Sequence, residues 1–139
     1  MKALVVYQSK TGTTKKMAEE IAVQLKELNN DVKLGSIAEV TVKDVELADK
    51  LYIGGPTNGF FLFGQGPTKD WKDFVKSLPI VNKKETILFT TYKIATGPVF
   101  KKMRRELNYS GFKVMNKALK SKDGNLSDIH REILSQSLN

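Results

Sequence analysis

A chain of 139 residues, 40% apolar and 27% charged, has the size and make-up of one globular domain, spanning 1–139, and not of a disordered or fibrous protein. It contains no cysteine, which excludes disulfides, iron–sulfur ligation and thiolate chemistry. The formal charge of +8 is concentrated late in the chain: between residues 101 and 122, Lys101, Lys102, Arg104, Arg105, Lys113, Lys117, Lys120 and Lys122 face a single acid, Glu106.

Taken in order, Lys2-Ala3-Leu4-Val5-Val6-Tyr7 reads as a buried strand running into the polar turn Ser9-Lys10-Thr11-Gly12-Thr13-Thr14. Five of these six turn residues carry a hydroxyl or an ammonium group, and the glycine lets backbone N–H groups approach a ligand closely. The helix that follows points its unpaired N–H groups and partial positive charge at the same spot, so the turn is built to hold a phosphate. Met17, Ala18, Ile21, Ala22, Leu25 and Leu28 recur at helical spacing and predict a helix from Thr13 or Thr14 to about Leu28. After the Asn29-Asn30-Asp31 turn, residues 32–37 predict a strand whose Lys33 suits an edge position, and residues 42–48 predict a short helix.

Lys50-Leu51-Tyr52-Ile53-Gly54 reads as a buried strand ended by Gly55-Pro56. Residues 57–67 form a long loop with Phe60, Phe61 and Phe63 among Gly59, Gly64 and Gly66, which is not a core pattern. Trp71, Phe74, Val75 and Leu78 supply a third helix, with Pro79 past its end. Residues 86–91 predict a fourth strand and 92–97 a second long loop. Pro98 stands where a fourth helix begins, with Val99, Phe100, Met103 and Leu107 as its buried stripe. Residues 111–115 predict a short fifth strand. After Asp123-Gly124, Ser127 is the expected N-cap of a last helix whose apolar stripe is Ile129, Ile133, Leu134 and Leu138.

Strand and helix alternate five times, which predicts an α/β fold: a five-stranded parallel sheet with helices on both faces. In such sheets ligands bind outside the carboxyl ends of the strands, here the loops 9–14, 57–67 and 92–97. Neither G-x-x-x-x-G-K-[ST] nor G-x-G-x-x-G follows the first strand, so nucleoside triphosphates and Rossmann dinucleotides are not indicated. His130 is the one histidine and falls on the last predicted helix, so a histidine-based metal site is not expected. No apolar run approaches the roughly 20 residues of a membrane-spanning helix, and Met1 leads directly into the first strand, so a cytoplasmic location is expected. Irregularly spaced lysines with few interleaved aromatics argue for a solvated basic face rather than a nucleic-acid site.

Ser9-Lys10-Thr11-Gly12-Thr13-Thr14 resembles the flavodoxin phosphate motif (S/T)-x-T-G-x-T, and Lys50-Leu51-Tyr52-Ile53-Gly54-Gly55-Pro56-Thr57 resembles that family's third strand and the start of its first flavin-contacting loop. The likeness spans nearly the whole chain, in the short form that lacks an insertion in the last strand. It implies a three-layer doubly wound fold with strand order 2-1-3-4-5, non-covalently bound FMN and one-electron transfer between redox partner proteins, the chain acting as a monomer. Carried over by residue, Ser9, Lys10, Thr11, Gly12, Thr13 and Thr14 would hold the phosphate. Pro56, Thr57, Asn58, Gly59, Phe60 and Phe61 would flank one edge and face of the ring, with Gly59 at the glycine whose peptide turns toward the reduced flavin N5. Thr90, Thr91, Tyr92 and Gly97 would flank the other.

The sequence departs from the family in two ways. Asn58 stands where many members have an aromatic, and the loop 90–97 lacks their acidic, Tyr-bearing pattern. With Lys93 near the ring, a less extreme potential is expected, because positive charge favours the reduced anion. The basic surface implies partners with acidic faces, the reverse of the family's usual charge arrangement. Thin aromatic cover leaves an FMN-dependent NAD(P)H oxidoreductase acting on quinones or small acceptors as an alternative. A non-redox interaction module using the basic segment is another.

Overall fold

The computed structural model describes residues 1–60, 63–78 and 84–138. Its elements are β1 (Lys2–Tyr7), α1 (Thr13–Glu27), β2 (Asp31–Ser36), α2 (Val42–Leu47), β3 (Lys50–Pro56), β4 (Asn58–Phe60), β5 (Phe63–Gly66), α3 (Lys69–Ser77), β6 (Glu85–Thr91), α4 (Val99–Tyr109), β7 (Lys113–Val114), β8 (Leu119–Ser121) and α5 (Asp128–Gln136). The main sheet is parallel throughout, in the order β2-β1-β3-β6-β7, with β8 also paired to β6. β2 lies at an edge, as its lysine suggested.

Period-two alternation sorts the strand side chains between two cores. Ala3, Val5 and Tyr7 face α1 and α5, joining Met17, Ala18, Ile21, Leu25 and Leu134. Leu4 and Val6 face the opposite way, against Val45 of α2, Trp71 and Val75 of α3, and Val99, Met103 and Leu107 of α4. A strand covered on both faces has no solvent side, which is why β1 reads as an uninterrupted apolar run. Each fully buried aliphatic side chain, such as Ile21 or Leu25, contributes about 1.5–3 kcal/mol. β3 and β6 approach so closely that a Cβ on Gly54 would lie 2.3 Å from the Phe89 ring and 2.5 Å from its carbonyl oxygen, so no side chain fits there.

Three expectations are corrected. The predicted strand 111–115 is only β7, and the outer strand is completed by β8, which pairs Leu119, Lys120 and Ser121 with Phe89, Thr90 and Thr91. β8 escapes a hydropathy reading because Leu119 and Ser121 point inward while Lys120 points out, an alternation too short and too polar to register. Between the two segments, the Arg104 guanidinium donates to the Asn116 carbonyl at 2.6 Å and fixes the break. Second, the stretch read as the loop 57–67 contains the antiparallel ladder β4–β5. Third, Ile129 is 69% exposed. A reciprocal cap, in which Ser127 Oγ accepts the His130 N–H and His130 Nδ1 accepts the Ser127 N–H, starts the helix so that Leu134, not Ile129, meets the core. Pro79, expected past the end of α3, lies outside the described residues.

Candidate functional site

The chain between β1 and α1 is shaped by Gly12, whose φ of 95° belongs to the left-handed region that glycine adopts freely. Its N–H donates to Ser9 Oγ at 3.0 Å, closing the turn. Gly12 is also the N-cap of α1, and this helix start has neither a side-chain cap nor an acid in its first turn. Its N-terminal dipole and N–H groups therefore stay available to an anion. Thr11 and Thr13 hold their hydroxyl oxygens 3.5 Å apart at the mouth of this turn.

The three loops meet. A cavity of about 280 Å³ is lined by Lys10, Thr11 and Thr13 from the first, Pro56 and Thr57 from the second, Thr91, Tyr92, Lys93, Ile94 and Ala95 from the third, and by Gln65 and Lys122. The second and third loops are tied by a backbone bond and a side-chain bond: the Thr57 N–H donates to the Thr91 carbonyl at 2.8 Å, and Thr90 Oγ1 donates to the Gly55 carbonyl at 2.7 Å. The first and third are tied by buried hydroxyls, Thr14 Oγ1 and Thr91 Oγ1, 2.6 Å apart. β8 enters through the Tyr92 N–H, which donates to the Ser121 carbonyl at 3.2 Å and brings the Lys122 ammonium to 5.8 Å from the Tyr92 ring centroid.

Of the residues expected to bind, Lys10, Thr11, Thr13, Pro56, Thr57, Thr91 and Tyr92 line the cavity. Ser9 and Gly12 shape its first loop. Thr14 and Thr90 are buried, with their hydroxyls committed to Thr91, Gly55 and Thr57, so they lock the loops together from behind. Asn58 lies to one side, on a smaller cavity shared with Gly64, Gly66, Lys102 and Arg105. Gly59 and Phe60 belong to the β4 backbone, Gly97 sits beside the Gln65 side chain, and Phe61 lies outside the described residues.

Sequence reasoning missed Gln65 and Lys122. Gln65 was hidden in what read as irregular loop. Lys122 reaches the cavity only because β8 pairs in parallel with the last residues of β6, a long-range contact with no local signal. The turn that carries Lys122 is firm: Asp123 accepts the Asn125 N–H at 2.9 Å and lies 3.1 Å from Ser121 Oγ. The first of these bonds, then the second, holds its carboxyl below the ordinary carboxylate range.

This donor set fits a ligand with a phosphate at one end and a flat ring at the other. The first loop offers an open helix start, hydroxyls and an ammonium group, and the opposite wall offers Pro56, Tyr92, Ile94 and Ala95. No carboxylate lines the cavity among the described residues. No group of three or more candidate metal ligands and no helix long and apolar enough to cross a membrane occurs among them either.

Comparison with known proteins agrees with this geometry. The sequence profile of the Flavodoxin domain matches residues 4–128. A curated relative, the flavodoxin of Aquifex aeolicus (strain VF5), is 47% identical over 58 residues, a segment spanning 41% of this chain and 31% of that protein. Similar folds are found in the two-electron reduced flavodoxin of Megasphaera elsdenii (TM-score 0.81, 24% identity, 95% of each chain) and in a flavodoxin from the domain Archaea (TM-score 0.73, 24% identity, 98% of this chain and 92% of that one). A short-chain flavodoxin associated with a non-canonical PDU bacterial microcompartment is also similar (TM-score 0.76, 20% identity, 98% of this chain and 93% of that one). With a family profile matching residues 4–128 and the matching fold, the chain belongs to the flavodoxin family, whose cofactor is FMN.

Proposed function

We propose that this chain acts as a one-domain, monomeric carrier that holds FMN in the cleft between its three loops and passes electrons between redox partner proteins. The observation that carries this reading is the convergence of the loops after β1, β3 and β6 on one cavity with an uncapped helix start at its polar end. Bound there, FMN supplies redox chemistry in one- and two-electron steps. Thr11 and Thr13 donate their hydroxyls, and the first turn of α1 its N–H groups, to the phosphate, while Lys10 offsets its charge. Thr14, paired to Thr91 behind the loop, holds the first and third walls at a fixed separation. Tyr92, Pro56 and the Thr57 segment flank the ring and keep water from its faces.

The test separates the phosphate from the ring. A Thr11→Val/Thr13→Val double variant removes two hydrogen bonds to a charged group, each contributing about 1.5–3 kcal/mol, and so weakens FMN binding by about 100-fold or more. Riboflavin, which has the ring but no phosphate, should bind wild type and variant equally. Fluorescence titration reads both, and equal FMN affinities would defeat the assignment of this loop. In stepwise reduction of the loaded protein, two separable one-electron steps and slow NADPH oxidation are expected. Rapid NADPH consumption without a partner protein would instead support the oxidoreductase alternative.

A further inference from the structure

Most basic residues among the described ones take part in no ion pair, and several of these gather around one opening of the fold. Lys33, Lys50, Lys69, Lys113 and Arg131 are ion-paired, to Asp44, Glu85, Asp73 and Asp128. Among the described residues, Lys93, Lys101, Lys102, Arg105, Lys120 and Lys122 take part in no ion pair. These unpaired cations are contiguous with the cofactor cleft. Lys93 and Lys122 line the cleft itself, and Lys120 lies on β8 beside it. On the other side of the second loop, Lys102 and Arg105 of α4 line a cavity with Asn58, Gly64 and Gly66 of the β4–β5 ladder, and Lys102 packs against Gly66. Arg105 also lines the neighbouring surface with Lys101, Arg104 and the 89%-exposed Tyr109.

The acids near this rim are few. Glu106 shares the α4 cavity, and Asp123 turns its carboxylate onto Ser121 and Asn125. A ring of like charges left unpaired on one surface opposes folding through self-repulsion, and it gives a positive field over the one opening through which electrons would pass.

We infer that the surface formed by Lys93, Lys120 and Lys122 on one side of the cleft and Lys102 and Arg105 on the other docks an acidic redox protein, whose carboxylates surround its own electron-transfer centre. The inference rests on the carrier reading above and adds the interface and the sign of its charge. In the transfer, one electron leaves the reduced flavin and enters the partner's oxidised centre, with no bond made or broken. Attraction across the rim orients the encounter so that the partner's centre faces the cleft; at high ionic strength that orientation is lost. A nucleic acid would use the same charge, but the surface offers few exposed rings for base stacking, Tyr109 being the exposed one on α4.

The test uses two probes of opposite charge, the acidic haem domain of cytochrome b5 and basic mitochondrial cytochrome c. With FMN-loaded, photoreduced protein, stopped-flow reduction of the acidic probe should be at least tenfold faster at low than at high ionic strength, and reduction of the basic probe should show the opposite trend. The variant Lys93→Glu/Lys102→Glu/Arg105→Glu/Lys122→Glu should invert both trends. Amide chemical shifts of the labelled protein should move at residues 93, 102, 105 and 122 on adding the acidic probe, whether or not flavin is bound. Salt-independent reduction of the acidic probe, or shifts confined to other surfaces, would overturn the inference while leaving FMN binding intact. A short DNA duplex that moves the same amides at lower concentration than the acidic protein would overturn it too. Loss of flavin on gel filtration, with the amide shifts retained, would strike the carrier reading alone.

Discussion

The two ends of the parallel sheet use charge in opposite ways. At the amino end, where β1, β2, β3 and β6 begin, several charged groups find partners within the fold. Asp49 accepts the Lys2 N–H at 2.7 Å, Lys33 meets Asp44 at 2.7 Å, and Glu85 lies 3.1 Å from the buried Lys50 and 3.8 Å from Lys113. At the carboxyl end the cleft is lined by Lys10, Lys93 and Lys122 with no carboxylate among the described residues. The ion pairs at one end contribute to stability, whereas the cleft lysines at the other have no acidic partner among the described residues. The difference teaches that net charge alone says little about function; which charges already have partners says more.

The comparison predicts unequal costs of removing a lysine. Lys50 is 4% exposed and also donates to the Ser137 carbonyl after α5, so Lys50→Ala should lower stability by about 2–3 kcal/mol in urea unfolding, leaving Glu85 and that carbonyl short of a donor. A loss no larger than that of a surface lysine would break the contrast. Second in size is the hydroxyl clamp behind the cleft. Thr14→Val should cost about 1–2 kcal/mol because the buried Thr91 hydroxyl loses its partner, and Thr14→Val/Thr91→Val should recover part of that loss, since no orphaned group remains. Smaller still, and of opposite sign, Lys93→Ala/Lys122→Ala should leave the urea midpoint of the flavin-free protein unchanged or raise it slightly at low salt, with any gain gone at high salt.

Acid should sharpen the same contrast. The Asp44 carboxyl is pulled down to about 2, first by the Lys33 ammonium and then by the Thr41 N–H, from 3.8 in the free side chain. Because the folded value lies below the unfolded one, this contribution is complete above about pH 4 and is lost as pH falls toward about 2. Acid unfolding of Asp44→Asn should therefore show a weaker pH dependence between pH 4 and 2 than wild type, while Lys93→Ala should leave that slope as it is.

Much of this was legible in one dimension, for reasons that differ by residue. The turn after β1 is contiguous, so Ser9, Thr11, Gly12 and Thr13 announce themselves by type and spacing, and the helix they open follows at once. β1, β3 and β6 are buried on both faces and carry apolar residues through their centres, which leaves a recognisable run. The roles of Thr14 and Thr90 were not legible: a threonine reads alike whether its hydroxyl meets a ligand or, as here, Thr91 and the Gly55 carbonyl.

Fold class and the glycine-centred turn after β1 follow from local pattern, because helix period, strand period and such a turn are short-range properties of the chain. Two residues that complete the cleft, Lys122 and Gln65, did not, and could not. Lys122 stands thirty residues beyond Tyr92 and comes beside it only through the ladder of β8 on β6, and Gln65 arrives through the β4–β5 pairing. Such pairings are chosen by the whole sheet, where burying Leu119 and Ser121 against Phe89 and Thr91 decides the register, and only the folded chain reveals which lysines remain unpaired around the cleft.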